Sequence, residues 1–188
     1  MGTVDRATAW DLLQEHARSD VLIKHALAVE ASMRAYAKEY GEDAELWGVV
    51  GILHDFDWDV CPSPDQHPEY GSKILRARDY PEDIIRAVLS HGNHTGIPRE
   101  TPMEKTLFAV DELSGFITAV ALVRPTKSLM DTGVRSVRKK MKDKAFARNI
   151  NRDDIIQGAD DLGVDLDQHV AFIIEALKPI ASDLGLQP

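Results

Sequence analysis

Residues 43–55 read DAELWGVVGILHD, and this stretch decides the fold. Asp43 can cap a helix, the run Trp47 to Leu53 is apolar, and Gly48 and Gly51 permit close packing against a neighbour. The run ends by presenting His54 and Asp55, and an imidazole beside a carboxylate at a helix end can reach one divalent transition-metal ion. Upstream, Ser19 and Asp20 can cap a helix to about Tyr40, with Gly41 placed to end it. Leu22, Ala26, Val29 and Met33 recur along it at helical spacing, and His25 sits well inside it.

Downstream, Cys61 to Pro68 is too rich in proline to be helix, and Pro68 suits the first turn of a helix through about Ala77. His67 is then a cap-region residue. Pro81 opens the next helix, which carries Ile84, Ile85, Val88 and Leu89 and ends at His91 and Gly92. After a loop containing His94, Gly96 and Pro98, Pro102 opens a long helix to about Val123, stopped by Pro125. Asp111 lies near its middle and shares a face with Ser114, Gly115 and Thr118. A carboxylate in an otherwise apolar helix is costly to bury unless a cation or donor satisfies it. Two or three helices follow, including about Arg152 to Asp160 and Leu166 to Leu184, with Pro179 placed to kink or break the last. No alternating pattern competes, so the expected fold class is all-α.

With 188 residues and 44% hydrophobic residues, the chain can bury one sizeable core. The expectation is a single domain over 1–188, with a metal-binding core over about 20–124 and C-terminal helices over 125–188 that cover the site. Cys61 is the only cysteine, so no disulfide or thiolate zinc site forms within the chain, and a reducing cytoplasm fits best. The segment Met1 to Arg6 lacks an apolar signal core, and Arg6 stands where a myristoylation signal wants Ser or Thr. No run of about 18 apolar residues exists, so no membrane span is expected. A net charge of −9 argues against nucleic-acid partners, because a phosphate backbone selects a positive face. The exception is local: Arg135, Arg138, Lys139, Lys140, Lys142, Lys144 and Arg148 form a basic run, either a solvated helix face or an anion site. No heptad seam fixes the oligomeric state, although a symmetric homodimer is the commonest soluble assembly. His16 and His169 read as surface residues, and Trp10, Trp47, Phe116 and Phe172 as core.

The ordered set His25, His54-Asp55, His67-Pro68, His91 and Asp111 resembles the HD-domain superfamily of metal-dependent phosphohydrolases. Leu53 to Asp57, His67 to Gly71, Ala109 to Ile117 and Lys139 to Phe146 look like a small bacterial subfamily of stand-alone HD hydrolases. The resemblance implies a helical bundle with a central metal site and one or two divalent ions, drawn from iron, manganese, zinc, nickel, cobalt and magnesium. It makes His25, His54, Asp55 and Asp111 the ligands of the first ion. His67 and His91 would hold the second, with Asp55 bridging both. Asp57-Trp58 and His91-Gly92 depart from the branch that hydrolyses cyclic dinucleotides, which carries Gly-Lys and paired histidines there.

The implied activity is release of phosphate from a nucleotide or other small phosphorylated metabolite by a metal-activated water. In this reading Asp55 is catalytic, and Asp57 or Asp59 relays a proton to the leaving alcohol. His94, Lys139, Lys140 and Lys144, with Lys127 and Arg138, are candidate substrate contacts. The same ligands also suit a di-iron oxygenase, and a third reading is a non-catalytic module that binds a phosphorylated ligand.

Overall fold

A computed structural model describes residues 4–61, 63 and 65–187. The readings made on Met1 to Thr3 and on Pro62 and Pro64 fall outside the described residues. Within them the chain forms nine α-helices and no strand: α1 Arg6–His16, α2 Asp20–Tyr40, α3 Ala44–Leu53, α4 Glu69–Ala77, α5 Glu82–Ser90, α6 Pro102–Leu122, α7 Val134–Met141, α8 Arg152–Leu162 and α9 Leu166–Leu177. No described helix is long and apolar enough to cross a membrane.

The caps explain the boundaries. Ser19 accepts from the Leu22 N–H at the start of α2, and Asp43 accepts from the N–H groups of Glu45 and Leu46 at the start of α3. Thr101 and Glu104 satisfy each other's backbone N–H groups ahead of α6, a capping box with Pro102 in the first turn. α1 has the same device in Asp5 and Thr8. Pro179 lies in a short 3-10 turn, Lys178–Ile180, that follows α9, so the stretch from Leu166 to Leu184 breaks where the proline is placed to break it. The basic run is likewise not one helix. α7 stops at Met141, and residues 144–149 form turns, with Ala147 in the left-handed region.

α2 and α6, the two longest helices, meet at the centre, where the hydroxyls of Ser32 and Ser114 lie 2.9 Å apart, fully buried. α3 packs along α2 and α8 along α6, while α9 touches both central helices. Two glycines allow these approaches. A Cβ on Gly51 would fall 2.8 Å from Glu30 Cα, and one on Gly158 2.6 Å from Ala109 Cα, so neither helix pair could close around a larger residue. Trp47 and Phe116 are buried in the core, and Trp10 and Phe172 pack against it.

His169 corrects the surface reading: it is 1% exposed. Its Nδ1 accepts from the Tyr36 hydroxyl at 2.6 Å and its Nε2 donates to the Ala109 carbonyl at 3.0 Å. Each ring nitrogen is used once, as a neutral imidazole requires. Burial depresses its pKa below the ordinary 6.5, so the unfolded chain binds this proton more readily. The stability this site contributes is present above pH 6.5 and is lost as pH falls towards the folded value. In thermal melts from neutral pH to about pH 5, wild type should lose more of its midpoint than His169→Gln, which keeps an acceptor and a donor but does not titrate. Equal losses would contradict this account.

Candidate metal centre

Six side chains from five parts of the chain converge beneath one cavity. α2 carries His25 and α6 carries Asp111, while His54 and His91 are the C-caps of α3 and α5. Asp55 follows His54 in the turn, and His67 precedes α4 across a cis peptide bond to Pro68. His54 is completely buried and His67 nearly so, whereas Asp55 and Asp111 keep 17% and 18% of their side-chain surface open.

The donor atoms form two groups that share Asp55. In the first, His25 Nε2 lies 3.1 Å from His54 Nε2, 3.0 Å from Asp111 Oδ1 and 3.6 Å from Asp55 Oδ2. His54 Nε2 is 3.4 Å from Asp55 Oδ2 and 3.5 Å from Asp111 Oδ1. In the second, Asp55 Oδ1 lies 2.9 Å from His67 Nε2 and 3.3 Å from His91 Nε2, which are themselves 3.1 Å apart. The two oxygens of one carboxylate therefore face different imidazole pairs.

Donors held about 2.1 Å from a common ion stand roughly 3.0 to 3.4 Å apart in octahedral or tetrahedral arrangements. The observed spacings bracket that range, so these residues fit divalent ions.

The far side of each ring supports the same fit. His54 Nδ1 donates to the Gly51 carbonyl at 2.8 Å and His91 Nδ1 to the Val88 carbonyl at 2.5 Å, both one turn back in their own helices. His67 Nδ1 donates to Asp57 Oδ1 at 2.8 Å, and Asp57 Oδ2 accepts the Gly71 N–H at 2.8 Å. These bonds place the proton on Nδ1 and leave Nε2 as the free donor atom turned to the centre. The local charge favours a cation. Burial works against an imidazolium at His54, but Asp55 and Asp111 overcome it and raise its pKa well above the ordinary range. Burial likewise pushes both carboxylates up, yet His54 and the neighbouring histidines hold them below their usual range. His67, also opposed by burial, is raised to about 9 by its bonds to Asp55 and Asp57. Ion binding at such a cluster must displace these protons.

The cavity above the centre measures about 840 Å³. His94 lines it and is anchored by a 2.6 Å bond from Nε2 to the His67 carbonyl. Other residues expected at the site lie elsewhere. Asp57 is fully buried, its two oxygens are taken by His67 and Gly71, and it does not line the cavity, so it is placed to orient His67 and not to relay a proton. Asp59 accepts from the N–H groups of Arg18 and Ser19 at 2.6 and 2.7 Å, tying down the turn into α2.

Lys139, Lys140 and Lys144 do not line the cavity either. Lys139 borders a groove with Arg135 and Arg138, Lys144 borders another with Arg148, and Lys140 pairs with Asp143 over the Phe146 ring. Lys139 and Lys140 lie on α7, and Lys144 falls in the turns that follow it. Lys127 and Arg138 are also off the cavity, and Arg138 pairs with Asp167.

Sequence reasoning missed several lining residues. Lys24 and Glu112 each adjoin a ligand, and that adjacency was the available signal. Burial, and next the nearby Asp111 charge, raise Glu112 to about 7. Asn149, Asn151 and Asp154 come from the C-terminal third and carried no motif. The Arg152 guanidinium donates to the carbonyls of Phe146, Ala147 and Ile150 and lies over the Phe116 ring, which fixes the segment leading to these residues.

A helical bundle holding a buried His/Asp cluster beneath an open cavity defines a class of metal-binding domain. The family model described as "HD domain" matches residues 22–115, half the chain and the segment that holds all six converging residues, and the chain belongs to that family. No curated protein and no solved structure gives a significant match.

Proposed function

We propose that this protein is a metal-dependent phosphohydrolase that releases phosphate from a small phosphorylated molecule. The observation that carries the reading is the split of Asp55, with Oδ2 towards His25 and His54 and Oδ1 towards His67 and His91, on the floor of a cavity sized for a small molecule. His25, His54, Asp55 and Asp111 would hold one divalent ion, and Asp55, His67 and His91 a second. Ions so held supply an acidified water and neutralise phosphoryl oxygens as charge builds. In the overall reaction a water oxygen bonds to phosphorus, the ester P–O bond breaks, and the alcohol leaves with a proton.

The chain's own contribution is positional. Asp57 fixes the His67 ring, the carbonyls of Gly51 and Val88 fix His54 and His91, and His94 contacts the substrate from the rim. Residues of the 125–188 segment line the same cavity, through Asn149 to Asn151, Asp154, Leu184 and Gly185.

The test removes the metal with a chelator, restores single ions in turn, and assays phosphate release across phosphomonoesters, nucleotides and sugar phosphates. Release should vanish on chelation and return with one or more of the ions. The same ligand set suits oxygen chemistry, so oxygen uptake by anaerobically iron-loaded protein without phosphate release would overturn the hydrolase reading and favour an HD-type oxygenase.

A further inference from the structure

The shape and charge of the cavity bear on what it admits. One face of α6 lines it from Phe108 through Asp111, Gly115 and Thr118 to Leu122. At 1.5 Å per residue this run spans roughly 21 Å. Asp111 lies one turn from the Phe108 end and about 16 Å from Leu122. The metal centre is therefore near one end, and a long arm extends past it. Val21, Ala28, Ala119, Leu122 and Leu184 wall that arm, and Val21 and Leu122 are 78% and 43% exposed. Apolar side chains left in water at the mouth of a cavity gain most from an apolar occupant.

The charges disfavour a polyanion. Among the described lining residues five are acidic, Asp20, Asp55, Asp111, Glu112 and Asp154, and Lys24 is the single Lys or Arg. Lys24 is already engaged, with Nζ 2.6 Å from Asp20 Oδ2. One phosphoryl group can be neutralised at the metal centre, but a second would meet Asp20 beside Val21 or Asp154 beside Asn93, with no free Lys or Arg among the described lining residues to pair it.

Resting on the hydrolase reading, we propose that the substrate is a phosphomonoester of an uncharged, largely apolar alcohol, whose body lies along α6 towards Leu122, and not a nucleoside polyphosphate. Hydrolysis then yields inorganic phosphate and the free apolar alcohol. The reaction preceding it must phosphorylate such an alcohol or cleave its diphosphate to the monoester.

The test uses alkylphosphonates, whose C–P bond replaces the ester oxygen, and reads binding to the metal-loaded full chain by calorimetry. Each buried methylene adds about fourfold to affinity, so hexylphosphonate should bind about 100-fold or more tighter than methylphosphonate. It should also bind tighter than a non-hydrolysable ADP analogue. With the series extended to dodecylphosphonate, long enough to cover the ~16 Å to Leu122, Leu122→Asp, a substitution at a half-exposed position, should remove the gain contributed by these longest chains.

Affinity independent of chain length, tighter binding of the ADP analogue, or an unaltered chain-length series in Leu122→Asp would each overturn the proposal. A second arm assays phosphate release from hexyl phosphate. Chain-length-dependent binding without any release refutes the hydrolase reading while leaving the occupant class supported. Release from AMP or ATP with kcat/KM above that for hexyl phosphate refutes the occupant class and leaves the hydrolase standing.

Discussion

Asp55→Ala should remove turnover at its root. Asp55 is the only residue common to both donor groups, with one oxygen in each, so its loss leaves His25, His54 and Asp111 on one side and His67 and His91 on the other. The second group then has two ligands, too few to hold an ion in competition with water. Loss of metal-centred stabilisation of about 4 kcal/mol corresponds to a rate reduction of about 10³-fold. Phosphate release should fall by at least that factor at saturating metal, and bound metal should fall with it. The fold should survive, since the Asp55 side chain is 17% exposed and borders the cavity, not the apolar core. Circular dichroism and a thermal melt check the fold, and phosphate release checks the loss.

The next largest effect is expected at Asp57, which touches no substrate. It holds His67 by Nδ1 and is itself held by the Gly71 N–H, and a Cβ on Gly71 would fall 2.9 Å from the Asp57 carboxyl carbon, so the site is tightly fitted. Partners of this type behind a ligating histidine contribute about 10 to 100-fold in metal affinity or activity. Asp57→Asn keeps the volume but turns one acceptor into a donor, which must face either His67 Nδ1–H or Gly71 N–H. Affinity for the ion at His67 and His91 should drop about 10 to 100-fold. The ion at His25, His54 and Asp111 should be retained. Metal titration resolves the two positions, and equal weakening of both would contradict the positioning role. Asp57→Ala should add a loss of about 1 to 3 kcal/mol in stability, because the Gly71 N–H is left buried and unpaired.

Much of this centre is legible in the sequence because its residues occupy helix ends, and helix ends have chemical signatures. Asp43, Pro81 and Thr101 with Pro102 announce where α3, α5 and α6 begin, and the C-caps that follow α3 and α5 are His54 and His91. Asp111 stands out because an unpaired carboxylate on an apolar helix has no other reason to be there. The lysines misled because charge was read without geometry. A run of seven basic residues suggests one face, but α7 ends at Met141 and the following turns spread the cluster over separate grooves.

Asp57 misled for the opposite reason. Its neighbour Asp55 faces the cavity, and the turn between them points Asp57 into the protein, a direction that residue order alone does not reveal. His169 looked superficial because no local pattern marks its partners, Tyr36 and Ala109, which lie 133 and 60 residues away in the chain. The cavity walls from Asn149 to Asp154 depend on Arg152 gathering the carbonyls of Ala147 and Ile150 a few residues back, a side-chain role that no motif marks.

The central claim is that the two donor groups sharing Asp55 would each hold one ion. Native mass spectrometry of metal-loaded protein tests it most directly, by counting ions per chain in wild type, His67→Ala and His91→Ala. The account predicts two ions in wild type and one in each variant, with the ion at His25, His54 and Asp111 remaining. A single ion in wild type, unaffected by either substitution, would contradict it.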